Sequence, residues 1–509
     1  MYMNFLSVLK KICFLSVLTT FSVFSQTYEI SVALNLRNDT VILGHYYTKR
    51  ERMLVNDTIV LNNGTGVFRG NRELPKGQYF LFNDGKILFD IIIGDNQQFG
   101  IVADTADFIN LVKFTQSPDN DVFYDFQRYS AERGRQFQQL NEQLRTAASD
   151  DLRNSLRANL QSLLRERTEY IEELIDANSH LYISKWLKTL IPSENYVPEA
   201  PTDDAGNVID PNFRYRWWRA HFFDNLNIYD PDMLRTQFYE EKMFEYLTRV
   251  IPQHTDTVCV EIDKMLTNAQ ADDAIFRYIL VTLFNHFLES KDLVRGAVVP
   301  ENVWACITEK WYIPYAHWST EETMENLKKE INDIKPNLIG NRAPPMEMLM
   351  ILPPEHFRVA AMDTAIKFDP HAGRMVNDFR NDNEMKNKFT VIYFWDFTCG
   401  HCRTGIQELF KLWEDNKHKG LQVITVQTYY SQRQDKGRWI DLVNEQNFFG
   451  AGWFNTWSPY NHEFRRLYNT ATVPVLYLLD ENFDILLRGN LRRSIGVETI
   501  KEFFDMQVQ

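Results

Sequence analysis

The sequence predicts a multidomain protein with an N-terminal all-β sandwich or barrel, an all-α middle region and a C-terminal α/β domain. Three patterns carry this. Apolar residues alternate with polar ones from Thr27 to about Val112, and they recur at helical spacing from Asp121 to Lys335. Beyond a passage rich in Pro and Gly they fall into strand–helix order, ending in two adjacent strands and a final helix. The chain has 509 residues, 44% hydrophobic and 24% charged, an ordinary globular composition that excludes disorder and collagen-like repeats. At roughly 150 residues per domain that length predicts about three domains. With 55 Lys+Arg against 68 Asp+Glu, the net charge of −13 leaves no electrostatic footprint for nucleic acid. Only 5 cysteines occur, too few for a disulfide scaffold.

At the amino terminus Lys10 and Lys11 precede an apolar-rich run from Ile12 to Phe24, and Val23 and Ser25 take the small-residue positions ahead of Gln26. This is the order of a secretory signal over residues 1–25, cut after Ser25. The run is shorter than the roughly 20 residues that span a bilayer core. Cys13 stands at its start, where a lipoprotein would place its cysteine at the end. The mature chain is therefore expected to be soluble and periplasmic or otherwise secreted, in a compartment where disulfides persist.

Residues 26–117 read as the β-rich domain. Tyr28 to Leu34 alternates, while Asn62-Asn63-Gly64-Thr65-Gly66 and Asn83-Asp84-Gly85 supply turns. Tyr79–Phe82 and Ile87–Ile93 are expected to pair across the second turn. Residues 118–335 read as the helical domain. Leu140, Leu144, Leu152, Leu156, Leu160, Leu163 and Leu164 recur at helical spacing, and Ser149-Asp150-Asp151 suits a turn and N-cap between two antiparallel helices. Residues 193–212 read as a loop. Its Asp203-Asp204-Ala205-Gly206-Asn207 lacks the spacing and the terminal Glu of a calcium-binding loop. The aromatics Tyr215, Trp217, Trp218, Phe222 and Phe223 are expected to form helix–helix core. Lys335 to Pro345 marks the next boundary, and residues 339–509 read as the α/β domain.

Chemistry enters in that last domain. Phe389 to Trp395 is a near-continuous apolar strand, as expected for one covered on both faces. It leads through Asp396-Phe397-Thr398 into Cys399-Gly400-His401-Cys402-Arg403. An amphipathic helix follows, with Ile406, Leu409, Phe410 and Trp413 on one face and Gly420 as its stop. Cys399 thus sits where a helix begins, and the partial positive charge and unpaired N–H groups there favour a thiolate. His401 would stabilise that thiolate further. Cys402 lies three residues on, on the same helix face, and can attack a mixed disulfide formed on Cys399. Gly400 lets a partner's backbone approach closely. Cys399 is therefore expected to attack and Cys402 to resolve. No second CxxC or paired His stands at the spacing of a structural zinc site, so neither metal nor cofactor is expected.

The second signal is Thr472-Val473-Pro474 ahead of the apolar strand Val475–Leu479. A proline opening such a strand is restricted to ends and edges. Together these residues resemble the thioredoxin superfamily. The resemblance implies that Pro474 is cis and faces the two cysteines, that the Val473 backbone pairs with a substrate strand, and that Thr472 and Trp395 join the substrate-facing set. Ile339-Gly340-Asn341-Arg342-Ala343-Pro344 and Phe394-Trp395 with Cys399-Gly400-His401-Cys402-Arg403 narrow it to the secreted TlpA-like thioredoxins, over residues 339–509. The preceding part more loosely resembles the β-rich and helical domains of multidomain proteins of this type from Bacteroidota.

Departures from that pattern are specific. Tyr393 stands where thioredoxins carry a buried acid, Gln407 where the helix proline is expected, and Gly405 where glutamate is common. Asp396 is then the nearest candidate to accept the Cys402 proton, although a strand-end or capping role suits it better. Leu349 to Asn387 is longer than the usual first hairpin and is expected to rim the site.

The resemblance implies a periplasmic thiol–disulfide oxidoreductase that reduces or isomerises disulfides in secreted proteins, served by a membrane electron donor or acceptor. Its partners would be disulfide-containing or dithiol secreted proteins, with no nucleic acid. The alternative is a binding or assembly factor of the cell envelope carrying an accessory thioredoxin-like domain, because the β-rich and helical parts exceed what redox chemistry requires. A peroxiredoxin would need Thr where Asp396 stands. Cys259 and Cys306 lie in apolar helical surroundings, either as free buried thiols or as a disulfide joining two helices; the sequence leaves both open.

Overall fold

A computed structural model describes residues 27–290, 298–351, 364–369, 374–377, 388–428, 433–457, 463–490 and 497–502, apart from 37, 105 and 499. The expected signal segment lies outside the described residues. The chain divides into two compact units, Met1–Phe244 and Glu245–Gln509.

The first unit opens with eight strands: β1 (Tyr28–Leu34), β2 (Thr40–Tyr47), β3 (Lys49–Val60), β4 (Thr65–Gly70), β5 (Gly77–Asn83), β6 (Lys86–Ile93), β7 (Gln98–Ala103) and β8 (Lys113–Thr115). They form two four-stranded sheets, β4-β1-β7-β8 and β3-β2-β5-β6, so the arrangement is two open sheets and not a closed barrel. The alternation of β1 puts Tyr28, Ile30, Val32 and Leu34 inside. β5 and β6 pair antiparallel across Asp84 and Gly85, both at positive φ, as an Asn-Asp-Gly hairpin turn requires. Helices Pro118–Thr146 and Asp150–Ala177 follow. Ser149 caps the second, its side chain accepting from the Leu152 amide at 3.3 Å.

The aromatic stripe departs from expectation. Phe222 is fully buried, but Tyr215 is exposed and Trp217, Trp218 and Phe223 are only half-buried. Helix Phe213–Ala220 buries no residue at all. It is a short helix after a loop, in which Phe213, Tyr215, Trp217 and Trp218 are interspersed with Arg214, Arg216 and Arg219, so one face cannot collect all the rings. In the loop before it, the Asp203 carboxylate accepts from the Ala205 and Asn207 amides and ties the turn together.

The second unit places helices Thr255–Ala269, Asp273–Ser290, Pro300–Ile307 and Glu321–Ile334 ahead of one eight-stranded sheet. Its strands are β9 (Met346–Ile351), β10 (Thr364–Asp369), β11 (Arg374–Asn377), β12 (Phe389–Trp395), β13 (Leu421–Gln427), β14 (Trp453–Trp457), β15 (Val475–Leu479) and β16 (Ile485–Asn490). The order is β11-β10-β9-β14-β13-β12-β15-β16. β12, β13 and β14 run parallel, linked by helices Gly400–Asn416 and Arg433–Glu445, and β15 lies antiparallel to β12. Besides β9, β10 and β11 from the first hairpin region, the sheet holds β14, which the pattern of two strands and a hairpin does not anticipate. Its Trp-Phe-Asn-Thr-Trp is short and half polar, a weak local signal.

Successive residues of β12 feed opposite cores. Val391, Tyr393 and Trp395 pack with the helix Gly400–Asn416, and Ile392 and Phe394 pack on the other face with Phe464, Tyr468 and Tyr477. This is why the strand reads as continuously apolar. Ile406, Leu409 and Trp413 bury the helix's apolar face, each contributing ~1.5–3 kcal/mol by transfer from water. Gly420 ends the connection with φ 89°, the left-handed conformation in which glycine carries no penalty. The lengthened segment 349–387 adds β10 and β11 antiparallel beyond β9. The whole of 349–387 is expected to rim the site, and of it 352–363, 370–373 and 378–387 lie outside the described residues. On the opposite side, Arg488 of β16 forms a buried ion pair with Glu301 at 3.4 Å. No helix among the described residues is long and apolar enough to cross a membrane.

Candidate active site

The site forms where β12 ends. The Cys399 amide donates to the Asp396 carbonyl at 3.0 Å, turning the chain out of the strand. Cys399 takes the N-cap position of helix Gly400–Asn416 with extended φ/ψ of −83° and 120°. Its sulfur accepts from the Cys402 amide at 3.4 Å, so a thiol fills the role that Ser or Asp usually plays at a helix start. Both cysteines are free thiols. Cys399 is half-buried and Cys402 is fully buried. Burial pushes the Cys402 thiol well above the ordinary thiol range; a backbone hydrogen bond from Asp396 opposes this in part, and Cys399 adds to it. One sulfur is thus accessible and the other is held protonated behind it.

The other expected residues distribute around this pair. Gly400 and His401 are exposed on the first turn of the helix. A Cβ at Gly400 would meet nothing within 4 Å, so the surface in front of the two cysteines is open there. The Val473–Pro474 bond is cis, with both residues half-buried and Thr472 exposed. Pairing of β12 with β15 runs from Thr390↔Leu479 to Phe394↔Val475. The loop carrying Thr472, Val473 and Pro474 therefore reaches the same end of the sheet at which β12 delivers Cys399. Trp395 differs from the rest. It is completely buried beneath the cysteines in the core that holds Cys402, and it presents no surface to a partner. Its indole N–H has no hydrogen-bond partner among the described residues.

Asp396 acts at the strand end. Its carboxylate accepts from the Thr398 amide at 2.7 Å and from the Thr398 hydroxyl at 2.8 Å. This holds the turn that presents Cys399. Gln427, at the end of β13, adds a support that sequence reasoning did not single out: its buried side-chain oxygen accepts from the Phe397 amide at 3.1 Å. A Gln-Thr pair closing the apolar run Val423-Ile424-Thr425-Val426 was the available signal. Thr428 next to it donates to the Trp395 carbonyl through both its amide and its hydroxyl, at 2.8 and 3.0 Å.

Two departures from the family pattern turn out to be one arrangement. The Tyr393 hydroxyl donates to the Cys402 carbonyl at 3.2 Å, and the phenol is buried. A Cβ built on Gly405 would collide with that same hydroxyl. The Tyr393 phenol fits against the helix because position 405 carries no Cβ. Burial pushes the Tyr393 phenol far upward, with the two cysteines adding to it, so it serves as a hydrogen-bond donor and not as a base. Gln407, where a proline was expected, leaves an uninterrupted helix and donates to Gln446 at 3.2 Å.

Comparison with known proteins gives local similarity. Residues 181–291 match the family model described as Domain of unknown function (DUF5106). No curated protein matches the chain. Among solved structures, a domain of a possible thiol-disulfide isomerase from Cytophaga hutchinsonii is 25% identical and matches over 34% of this chain and 94% of its own, with a TM-score of 0.24. The thioredoxin domain of a Bacteroides vulgatus thiol-disulfide oxidoreductase is 18% identical over 33% of this chain and 97% of its own, TM-score 0.23. Mycobacterium tuberculosis AhpC is 19% identical over 34% of this chain and 98% of its own, TM-score 0.24.

Proposed function

We propose that this chain is a periplasmic or otherwise secreted thiol–disulfide oxidoreductase that reduces or isomerises disulfides in other secreted proteins through Cys399 and Cys402. The observation that carries the reading is the asymmetric pair: an accessible sulfur at a helix N-terminus, backed three residues on by a buried thiol whose amide donates to it.

The chemistry follows from that asymmetry. The Cys399 thiolate attacks one sulfur of a partner disulfide, a mixed disulfide forms, and the partner's other sulfur leaves as a thiolate. Cys402, kept protonated by burial, does not compete for the first attack. Once Cys399 is in the mixed disulfide, Cys402 gives up its proton and attacks the Cys399 sulfur. The partner leaves with both sulfurs reduced, and the Cys399–Cys402 disulfide holds the oxidising equivalents. A dithiol donor at the membrane would return the pair to the reduced state. His401, exposed beside the cysteines, would favour the thiolate over the disulfide and raise the potential. Val473 and Pro474 would align the partner's strand, and Gly400 would leave room for it. Trp395 supports the site from below.

The test is the equilibrium of the pair with glutathione, read by alkylation and mass shift. A potential near the ~−270 mV of thioredoxin supports a reductase, and one near ~−180 mV supports an isomerase. A potential near the ~−120 mV of a strong periplasmic oxidant overturns the reading.

A further inference from the structure

Cys259 and Cys306 take no part in the chemistry above, yet the fold brings them together. Cys259 lies on helix Thr255–Ala269 and Cys306 on helix Pro300–Ile307, two helices that pack together, and the thiols lie close enough to perturb one another. The contact is the middle rung of a ladder. Before it, the Val299 amide donates to the Thr255 hydroxyl at 2.9 Å across 44 residues of chain. Beyond it, Lys310 forms an ion pair with the Asp263 carboxylate across 47 residues, and the Trp311 indole donates to the same carboxylate at 2.7 Å. Thr255, Cys259 and Asp263 stand four residues apart and share one helix face, as do Cys306 and Lys310 opposite. The two helices therefore run side by side, clamped before and beyond the two cysteines.

We propose that Cys259 and Cys306 are a second redox site, a dithiol that closes to an inter-helix disulfide by exchange with a low-molecular-weight disulfide. The flanking rungs hold the two helices together on either side of the cysteines, as a disulfide between them requires. Both cysteines are only half-buried, so a small oxidant reaches them. The hydrogen bond between them eases loss of the first proton from the pair, seen as a lowered Cys306, and resists loss of the second, seen as a raised Cys259. Cys306 as thiolate attacks the oxidant, forming a mixed disulfide and expelling one thiolate. Cys259 then loses its proton and attacks the Cys306 sulfur, expelling the second. The two protons go to the two leaving thiolates, and the oxidant is reduced to two thiols. Closure would fix helix Pro300–Ile307, whose first turn holds Glu301 against Arg488 of β16.

The experiment uses the full chain, fully reduced, then exposed to glutathione disulfide without denaturant. It is quenched with acid, alkylated, digested and mapped by mass spectrometry. The expected result is a linked pair of peptides carrying Cys259 and Cys306, lighter by two hydrogens, as the dominant oxidised form of both. The same link is expected in the Cys399→Ser/Cys402→Ser chain, which separates this site from the function proposed above. Recovery of both cysteines as alkylated thiols, or of each as a separate glutathione adduct, overturns the proposal.

Discussion

The Tyr393–Gly405 arrangement gives the sharpest stability prediction. In Gly405→Ala the new methyl would overlap the Tyr393 hydroxyl. The phenol is buried between β12 and the helix. Overpacking of this kind costs ~1–3 kcal/mol. Replacing a glycine inside a helix returns ~1 kcal/mol. The net expectation is a loss of ~0–2 kcal/mol. Tyr393→Phe alone removes the 3.2 Å hydrogen bond to the Cys402 carbonyl and should cost ~1 kcal/mol. In the double variant the overlap is gone and the helix gain remains. The double loss should therefore fall short of the sum of the single losses by the overpacking cost, ~1–3 kcal/mol. Urea titration read by hydrogen exchange of peptides from 388–428 measures this locally. Additive losses would refute the claim that these positions are complementary.

Asp396→Asn keeps an oxygen for Thr398 to donate to, so it tests proton transfer apart from the turn. Resolution of a mixed disulfide by Cys402 is expected to change less than about threefold, a barrier change under ~1 kcal/mol; a much larger slowing, read by stopped-flow with a fluorescent disulfide, would make Asp396 the proton acceptor. The Arg488 and Glu301 side chains are only 4% and 5% exposed, and breaking such a pair costs ~3–5 kcal/mol. Glu301→Ala should lose about that much in urea, whereas a loss under ~1 kcal/mol would rank the pair with surface bridges. In the first unit, burial pushes the Asp90 carboxyl up despite hydrogen bonds from Tyr46 and Gln78. A raised folded value means this group's contribution is full below the unfolded carboxylate's ~3.9 and is lost as pH rises through the folded value. Asp90→Asn should flatten the fall in stability across that window, and an unchanged slope would contradict the assignment.

Local features of the sequence carried far into the structure. The strand-to-helix step around Cys399, the Asp84-Gly85 turn, the Ser149 cap and the Gly420 stop each depend on a few neighbouring residues. What did not carry depends on partners distant in the chain. Parallel pairing of β1 with β7 leaves no periodic trace beyond the strands themselves. The Arg488–Glu301 pair joins segments whose charges, taken separately, read as ordinary surface. Tyr393 and Gly405 looked like two losses until the fold set one against the other. The resemblance set Trp395 among the substrate-facing residues, but alternation along β12 turns it into the core. The aromatics from Tyr215 to Phe223 misled by composition, since a short helix after a loop cannot bury every ring.

The central claim, that Cys399 attacks and Cys402 resolves, is tested most directly by trapping. A full-length Cys402→Ala chain, incubated with extracytoplasmic proteins in their disulfide form, is expected to accumulate mixed disulfides on Cys399. These should be released by a reductant and lost in the Cys399→Ser/Cys402→Ala chain. Failure of the Cys402→Ala chain to form any adduct on Cys399 would contradict the account.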